Sequence, residues 1–229
     1  SINMSKYDCD LNLEDRNSLS LLINRIKPNS TILEFGPANG RMTKYLKEEL
    51  NCKVYAVEIN EASAKDTEPY TEKILVDSIE NYGWKKEFET IKFDYIIFAD
   101  VLEHLYNPKK VLESVKTFLN DNGSILISIP NISHNAIVIG LLKNEFNYSP
   151  VGLLDDTHIR FFTKKTFDNL IKELDYITCY ETATFLKPVN TEFGYKYNEL
   201  PKALENYISK LPWGEHYQLI YEIKTYKTT

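Results

Sequence analysis

Hydrophobic and polar positions along the chain switch repeatedly between a helical period and a strand period. Leu19, Leu22, Ile23 and Ile26 recur at helical spacing from Asn17 onward, and Pro28-Asn29 ends that pattern. A short apolar run, Thr31 to Phe35, predicts a strand, and Met42, Tyr45, Leu46 and Leu50 predict a helix over 41–50. Lys53 to Glu58 and Lys73 to Ser78 read as further strands, each ending in acid or hydroxyl residues, with a helix predicted over 79–90. Phe93 to Asp100 is apolar on both faces, as a buried parallel strand should be. Asn107 as N-cap and Pro108 at the first helical position open a helix whose buried stripe is Val111, Leu112, Val115, Phe118 and Leu119. Asn122-Gly123 closes that helix, and Ser124 to Pro130 is a fifth strand. A helix over 165–174, strands near 176–186 and 215–224, and a helix about 200–211 complete the pattern. Strands alternating with helices mean an α/β protein built on a parallel sheet. Residues 131–163 and 187–212 interrupt the alternation and are long enough to be functional. They read as a lid over the carboxyl ends of the strands, where open α/β sheets bind ligands.

Composition narrows the class. The 229 residues suffice for one large domain, and 43% hydrophobic with 26% charged residues is ordinary for a globular chain. A net charge of −6 argues against a nucleic-acid partner, and the lysine pairs at 85–86, 109–110 and 164–165 read as solvated faces. Cys9, Cys52 and Cys179 follow neither a zinc nor a disulfide spacing and suit a reducing, cytoplasmic setting. No apolar run approaches the length of a membrane span. Oligomeric state is left open by the sequence.

The chemistry concentrates at Glu34-Phe35-Gly36-Pro37-Ala38-Asn39-Gly40, a strand end, a glycine turn and the start of a helix. Glycine lets a ligand lie against bare backbone, and the helix start offers free N–H groups. A dinucleotide fingerprint needs glycine at the first, third and sixth turn positions, which here are Gly36, Ala38 and Arg41. No Gly-Lys-Ser/Thr follows, so a P-loop is excluded as well. Glu34 would repel a pyrophosphate and suits a cationic ligand, an ammonium or a sulfonium. Glu58 lies 22 residues past Gly36, where a carboxylate reaches ribose hydroxyls in a βαβ unit.

The turn resembles motif I of the class I S-adenosylmethionine (SAM) dependent methyltransferases, Asp/Glu-x-Gly-x-Gly-x-Gly, with Ala38 in place of the middle glycine. The resemblance covers roughly residues 15–130 and continues through Asp100-Val101-Leu102-Glu103-His104-Leu105 and the strand after Asn122-Gly123. It implies a single domain over 1–229 with a Rossmann-like, seven-stranded, mostly parallel sheet, helices on both faces and lid insertions. It further implies that Glu34, Gly36, Ala38 and Gly40 cradle the amino-acid part of SAM, Glu58 holds the ribose and Asp77 meets the adenine. Ile59, Ser78, Ala99 and Asp100 fall at the ends of the same strands and join the cofactor set. Arg16 is placed against the SAM carboxylate, with Tyr7 closing over the cofactor.

Methyl transfer to a hydroxyl needs the acceptor held in line and its proton removed, for which histidine is the natural base. His104 lies past the fourth strand. His158 lies in Asp155-Asp156-Thr157-His158-Ile159-Arg160-Phe161-Phe162-Thr163, which resembles a segment of methyltransferases encoded among glycan and secondary-metabolite genes. These two histidines are the candidate bases. Asn131, His134, Tyr148 and Arg160 are candidate acceptor contacts, Arg160 for a carboxylate or phosphate. His216 reads as structural. The expected activity is methylation of a hydroxyl on a small acceptor, such as a sugar, glycan precursor or metabolite, with no resident metal. A competing reading puts Asp100, Glu103 and His104 on one helical face as ligands of a divalent cation. That pattern resembles Glu-x-x-Glu-His in ubiquinone-pathway and small-RNA 3′-end methyltransferases. A third is a SAM-binding protein without turnover.

Overall fold

A computed structural model describes Leu13 and residues 16–226. Tyr7 and Cys9 lie outside the described residues. Seven strands form one sheet in the order β3-β2-β1-β4-β5-β7-β6: β1 Thr31–Phe35, β2 Lys53–Glu58, β3 Lys73–Val76, β4 Phe93–Ala99, β5 Leu119–Pro130, β6 Tyr176–Phe185 and β7 His216–Thr225. All pairings are parallel except those of β7, which runs antiparallel to both β5 and β6.

Alternation along the central strands sends side chains into two cores. Ile32, Ile97 and Leu126 pack on one face against α1 (Ser18–Ile23) and α2 (Arg41–Glu48). Leu33, Phe35, Ile96 and Phe98 pack on the other against α4 (Gly83–Glu87), α5 (Pro108–Ser114) and α7 (Lys164–Glu173). Capping follows the sequence: Asn17, Asn107 and Thr163 each accept a backbone N–H at a helix start. α3 (Glu61–Thr67), capped by Asn60, joins β2 to β3. No helix among the described residues is long and apolar enough to cross a membrane.

Four predicted elements differ. The helix over 79–90 is split: Tyr82 adopts a left-handed conformation at φ 60, leaving a 3-10 turn, Ile79–Asn81, before α4. The buried Trp84 explains the break, because its indole N–H donates to the Ile79 carbonyl at 2.9 Å and pulls that turn closed. The predicted strand 73–78 stops at Val76, which frees Asp77 and Ser78 for the turn. The helix from Asn107 ends at Ser114, followed by a 3-10 turn, Lys116–Phe118, and the fifth strand begins at Leu119 instead of Ser124. Asn122-Gly123 therefore lies within that strand and does not close the helix; the strand's register with β4 is irregular between Phe93 and Tyr95. The two insertions carry α6 (Asn135–Leu142) and α8 (Lys202–Ile208), and they pack on each other through Ile139, Tyr195, Leu200 and Ile208. Asn131 is fully buried between them, its amide donating to the carbonyls of Trp213 and His216.

Candidate active site

The glycine turn joins β1 to α2 at the carboxyl edge of the sheet. Gly36, Ala38 and Gly40 all have positive φ, at 63, 53 and 82. A Cβ on Gly40 would also stand 2.8 Å from the Thr67 hydroxyl, so that position is closed to larger residues on two counts. Ala38 adopts the same left-handed conformation without glycine's freedom, at a cost of about 1–2 kcal/mol.

Glu58, at the end of β2, holds the turn from one side. Its carboxylate accepts the Ala38 N–H at 2.9 Å and the Asn60 N–H at 2.8 Å. Glu34 sits beneath the turn, 2% exposed, and accepts the Thr43 hydroxyl. Burial pushes the Glu34 carboxyl from 4.5 up to about 7; the Thr43 bond opposes the rise and the Glu58 charge adds to it. Two carboxyl groups close together under a turn of bare backbone fit a cationic ligand, which would relieve their mutual repulsion.

Along the same edge, Asp77 accepts the Ser78 N–H at 2.8 Å and the Asn81 amide at 2.7 Å, and Ser78 caps the 3-10 turn through the Glu80 N–H. Ile59 is 72% exposed, free to lie over a ligand. Ala99 closes β4, and Asp100 follows at φ 55, its N–H donating to the Ser128 carbonyl at 3.1 Å. The Asp100 carboxyl accepts Gln218 Nε2 at 2.7 Å and the Ser128 hydroxyl at 3.2 Å; burial raises it to about 6, which both bonds oppose.

Asp100 to His104 do not share a helical face. Only Leu102–His104 is helical, as a single 3-10 turn, because Asp100 is left-handed and tied to β5 and β7. The turn brings Glu103 and His104 to His158 instead. The two imidazoles meet edge-on with ring centres 4.9 Å apart, and each Nε2 lies near Glu103 Oε1, at 3.8 Å for His104 and 4.0 Å for His158. Ligand atoms of the three residues all fall within 4.8 Å of one another. Glu103 is 1% exposed and no hydrogen-bond donor among the described residues reaches either carboxylate oxygen, whereas the His104 side chain is 34% exposed. Burial foremost, then the charges of Asp100 and Asp155, drive the Glu103 carboxyl well above its ordinary range.

Of the other predicted contacts, His134, Asn131, Arg160 and Arg16 make hydrogen bonds within the protein. His134 is fully buried; it caps α6 by accepting the Ala136 N–H, and its Nε2 meets the Leu186 carbonyl at 2.6 Å. The Asn131 side-chain Oδ1 accepts both the N–H and the hydroxyl of Ser133. Arg160 meets neither Asp155 nor Asp156; its Nε and Nη2 donate to the Tyr106 carbonyl at 3.0 and 2.7 Å. Arg16 donates to Thr182 Oγ1 and the Ala183 carbonyl and lies over the Phe185 ring, so it braces β6. Tyr148 is 61% exposed and packs edge-on to Phe146. Gln218 and Glu80 join the site without a sequence signal, since neither belongs to a motif and their partners lie far along the chain. Glu103 was legible only within the Asp100-Glu103-His104 set.

A family model described as a methyltransferase domain matches residues 11–178. The chain belongs to this methyltransferase family. The family is SAM-dependent, so this methyltransferase takes its methyl group from SAM and releases S-adenosylhomocysteine. An uncharacterised protein of Methanocaldococcus jannaschii is 28% identical over 163 residues, 71% of this chain and 72% of that one. A ubiquinone biosynthesis O-methyltransferase of Glaesserella parasuis is 34% identical over 58 residues, a quarter (25%) of each chain. Among solved structures, a SAM-dependent methyltransferase from Archaeoglobus fulgidus superposes with a TM-score of 0.62 at 16% identity, covering 90% of this chain and 91% of that one. Magnesium protoporphyrin IX methyltransferase from Synechocystis, with S-adenosylhomocysteine bound, gives a TM-score of 0.58 at 12% identity, covering 91% and 80%. These likenesses establish the Rossmann-like methyltransferase fold.

Proposed function

We propose that this methyltransferase acts on a hydroxyl of a small acceptor, a sugar, glycan precursor or metabolite, with His104 or His158 as the general base. SAM supplies an electrophilic methyl on a sulfonium when bound. Glu34 and Glu58 with the turn Gly36 to Gly40 would hold its amino-acid and ribose parts, and Asp77, Ser78 and Ile59 its adenine. The carrying observation is the imidazole of His104, partly exposed at the carboxyl end of β4 and backed by the buried Glu103. A neutral amine acceptor needs no base, whereas a hydroxyl does, and a positioned base contributes about 10²–10⁴-fold. Glu103 Oε1 lies 3.8 Å from His104 Nε2 and 4.0 Å from His158 Nε2, so an imidazolium formed there would favour release of the proton that burial holds on the Glu103 carboxyl. The two insertions would close over the acceptor and exclude water. Incubation with methyl-labelled SAM and metabolite and glycan fractions, followed by mass spectrometry of labelled products, tests this reading. Label in an O-methyl ether is expected; label confined to nitrogen contradicts it.

A second reading is favoured by one observation. Among the described residues, both oxygens of the Glu103 carboxylate lack a donor while two imidazole nitrogens lie within 4.0 Å of one of them. Such a set suits a divalent cation, which would lower the acceptor hydroxyl's pKa in place of a base. Asp100 is already tied to Gln218 and Ser128, so the ligands would be Glu103, His104 and His158. Activity abolished by chelator and restored by Mg²⁺, Mn²⁺ or Zn²⁺ would select this reading; activity indifferent to chelator selects the base.

A further inference from the structure

The segment after His104 is held more tightly than its own secondary structure requires. Glu80 accepts the N–H of Tyr106 through one carboxylate oxygen and that of Asn107 through the other, both at 2.8 Å. Arg160 grips the Tyr106 carbonyl from the other side with Nε and Nη2. Both main-chain polar groups of Tyr106 are therefore bound by charged side chains from two separate segments. Each of these charged side chains gives up rotamer freedom to hold a single main-chain unit. Burial of Tyr106 does not explain that ordering, because the residue is 76% exposed, the highest value among the exposed large hydrophobic residues that the structure describes. A fixed main chain bearing an exposed tyrosine gives rigid contact area at low entropic cost to a ligand.

Its position points to which ligand. Tyr106 is two residues past His104, and Arg160 is two residues past His158. The N–H groups of Ile159 and Arg160 both donate to the Glu103 carbonyl, at 2.9 and 3.1 Å, and His104 Nδ1 lies 3.2 Å from the Thr157 carbonyl. The Arg160–Tyr106 grip thus joins the two segments that carry the imidazoles. The half-exposed Ile159 adds a second apolar surface on the same staple.

We propose that Tyr106 is an acceptor-binding residue whose ring packs on the flat face of an acceptor ring, with Glu80 and Arg160 as the residues that position it. The proposal rests on the reading that this enzyme methylates a small acceptor and names one property of that acceptor, a ring with a C–H-rich or aromatic face. Arg160 then acts through Tyr106 and does not anchor an acceptor anion.

The test compares wild type, Tyr106→Phe, Tyr106→Ala, Arg160→Lys and the Tyr106→Ala/Arg160→Lys double variant. The readout is methyl transfer from labelled SAM into serial dilutions of a small-molecule extract of the source cell. Affinity for S-adenosylhomocysteine and thermal midpoint are measured for every variant. Tyr106→Ala is expected to raise the extract concentration needed for half-maximal rate about tenfold with little change in the maximal rate. Tyr106→Phe should match wild type. Arg160→Lys should show a smaller rise of the same kind, absent in the Tyr106→Ala background. Chromatography of the labelled product as an O-methyl sugar or an aryl methyl ether tells the two ring sources apart, and a labelled open-chain product overturns the proposal. So does a Tyr106→Ala profile equal to wild type, or one that loses maximal rate equally at every dilution. If wild type transfers no label while binding S-adenosylhomocysteine, the small-acceptor reading fails first and the proposal falls with it.

Discussion

The carboxylate of Glu58 accepts the main-chain N–H of Ala38 at 2.9 Å, tying the end of β2 to the apex of the glycine turn. One residue therefore shapes the turn and, in the proposed binding of SAM, would also border the ribose. Replacing Glu58 with Ala is expected to weaken S-adenosylhomocysteine binding by at least tenfold, a loss of about 1.4 kcal/mol or more. Calorimetric titration checks it, and unchanged affinity removes Glu58 from the cofactor site.

The left-handed Ala38 carries strain that a glycine would release. Release of about 1–2 kcal/mol is partly offset by the extra freedom glycine gives the unfolded chain, about 0.4–1 kcal/mol. Ala38→Gly is expected to raise stability by about 0.5–1 kcal/mol in urea unfolding. A loss of stability would mean that the Ala38 methyl makes a packing contribution larger than its strain.

Glu34 sets a pH dependence of stability. Its carboxyl titrates about 7 in the folded chain against 4.5 as the ordinary value. Below pH 4.5 both states are protonated and Glu34 costs nothing. As pH rises toward 7 the unfolded chain gives up the proton while the folded chain keeps it, so stability falls; above 7 the penalty is constant at about 3 kcal/mol in order of magnitude. Glu34→Gln keeps an acceptor for Thr43 and removes the charge. It is expected to exceed wild-type stability at pH 8 and to match it near pH 4.5, while losing affinity for SAM. A cationic ligand should also draw a proton out of Glu34 near neutrality. Binding heats measured in buffers of different ionisation enthalpy should reveal that release.

Glu103 is the clearest case of a residue that costs stability. A buried carboxyl with no donor is destabilising by about 1–3 kcal/mol. Glu103→Gln is expected to leave the thermal midpoint unchanged or higher while lowering turnover by at least tenfold. A variant that is both less stable and fully active would make Glu103 a structural residue.

The fold was legible because buried parallel strands and amphipathic helices leave strong periodic patterns, and caps such as Asn107-Pro108 mark their ends. The cofactor turn was legible because backbone that must run left-handed selects glycine at Gly36 and Gly40. What the pattern missed depends on distant partners. Tyr82 breaks a helix because of a side-chain bond five residues across, from Trp84 to Ile79. The histidine pairing needs an insertion fifty residues downstream, roughly the separation of His104 from His158, to fold back over β4. Asn131, His134 and Arg160 have the residue types of acceptor contacts, yet their hydrogen bonds turn inward to Trp213, Leu186 and Tyr106. Polar residues in long insertions must satisfy backbone groups that regular structure does not, and that demand is invisible in a single sequence.

The proposed function turns on His104 or His158 taking the proton of the acceptor hydroxyl during methyl transfer. Single-turnover transfer of labelled methyl to the identified acceptor should be compared for wild type, His104→Ala and His158→Ala, with S-adenosylhomocysteine affinity measured alongside. Loss of about 10²–10⁴-fold in at least one variant at unchanged cofactor affinity is the expected result; rates within twofold of wild type in both would contradict it.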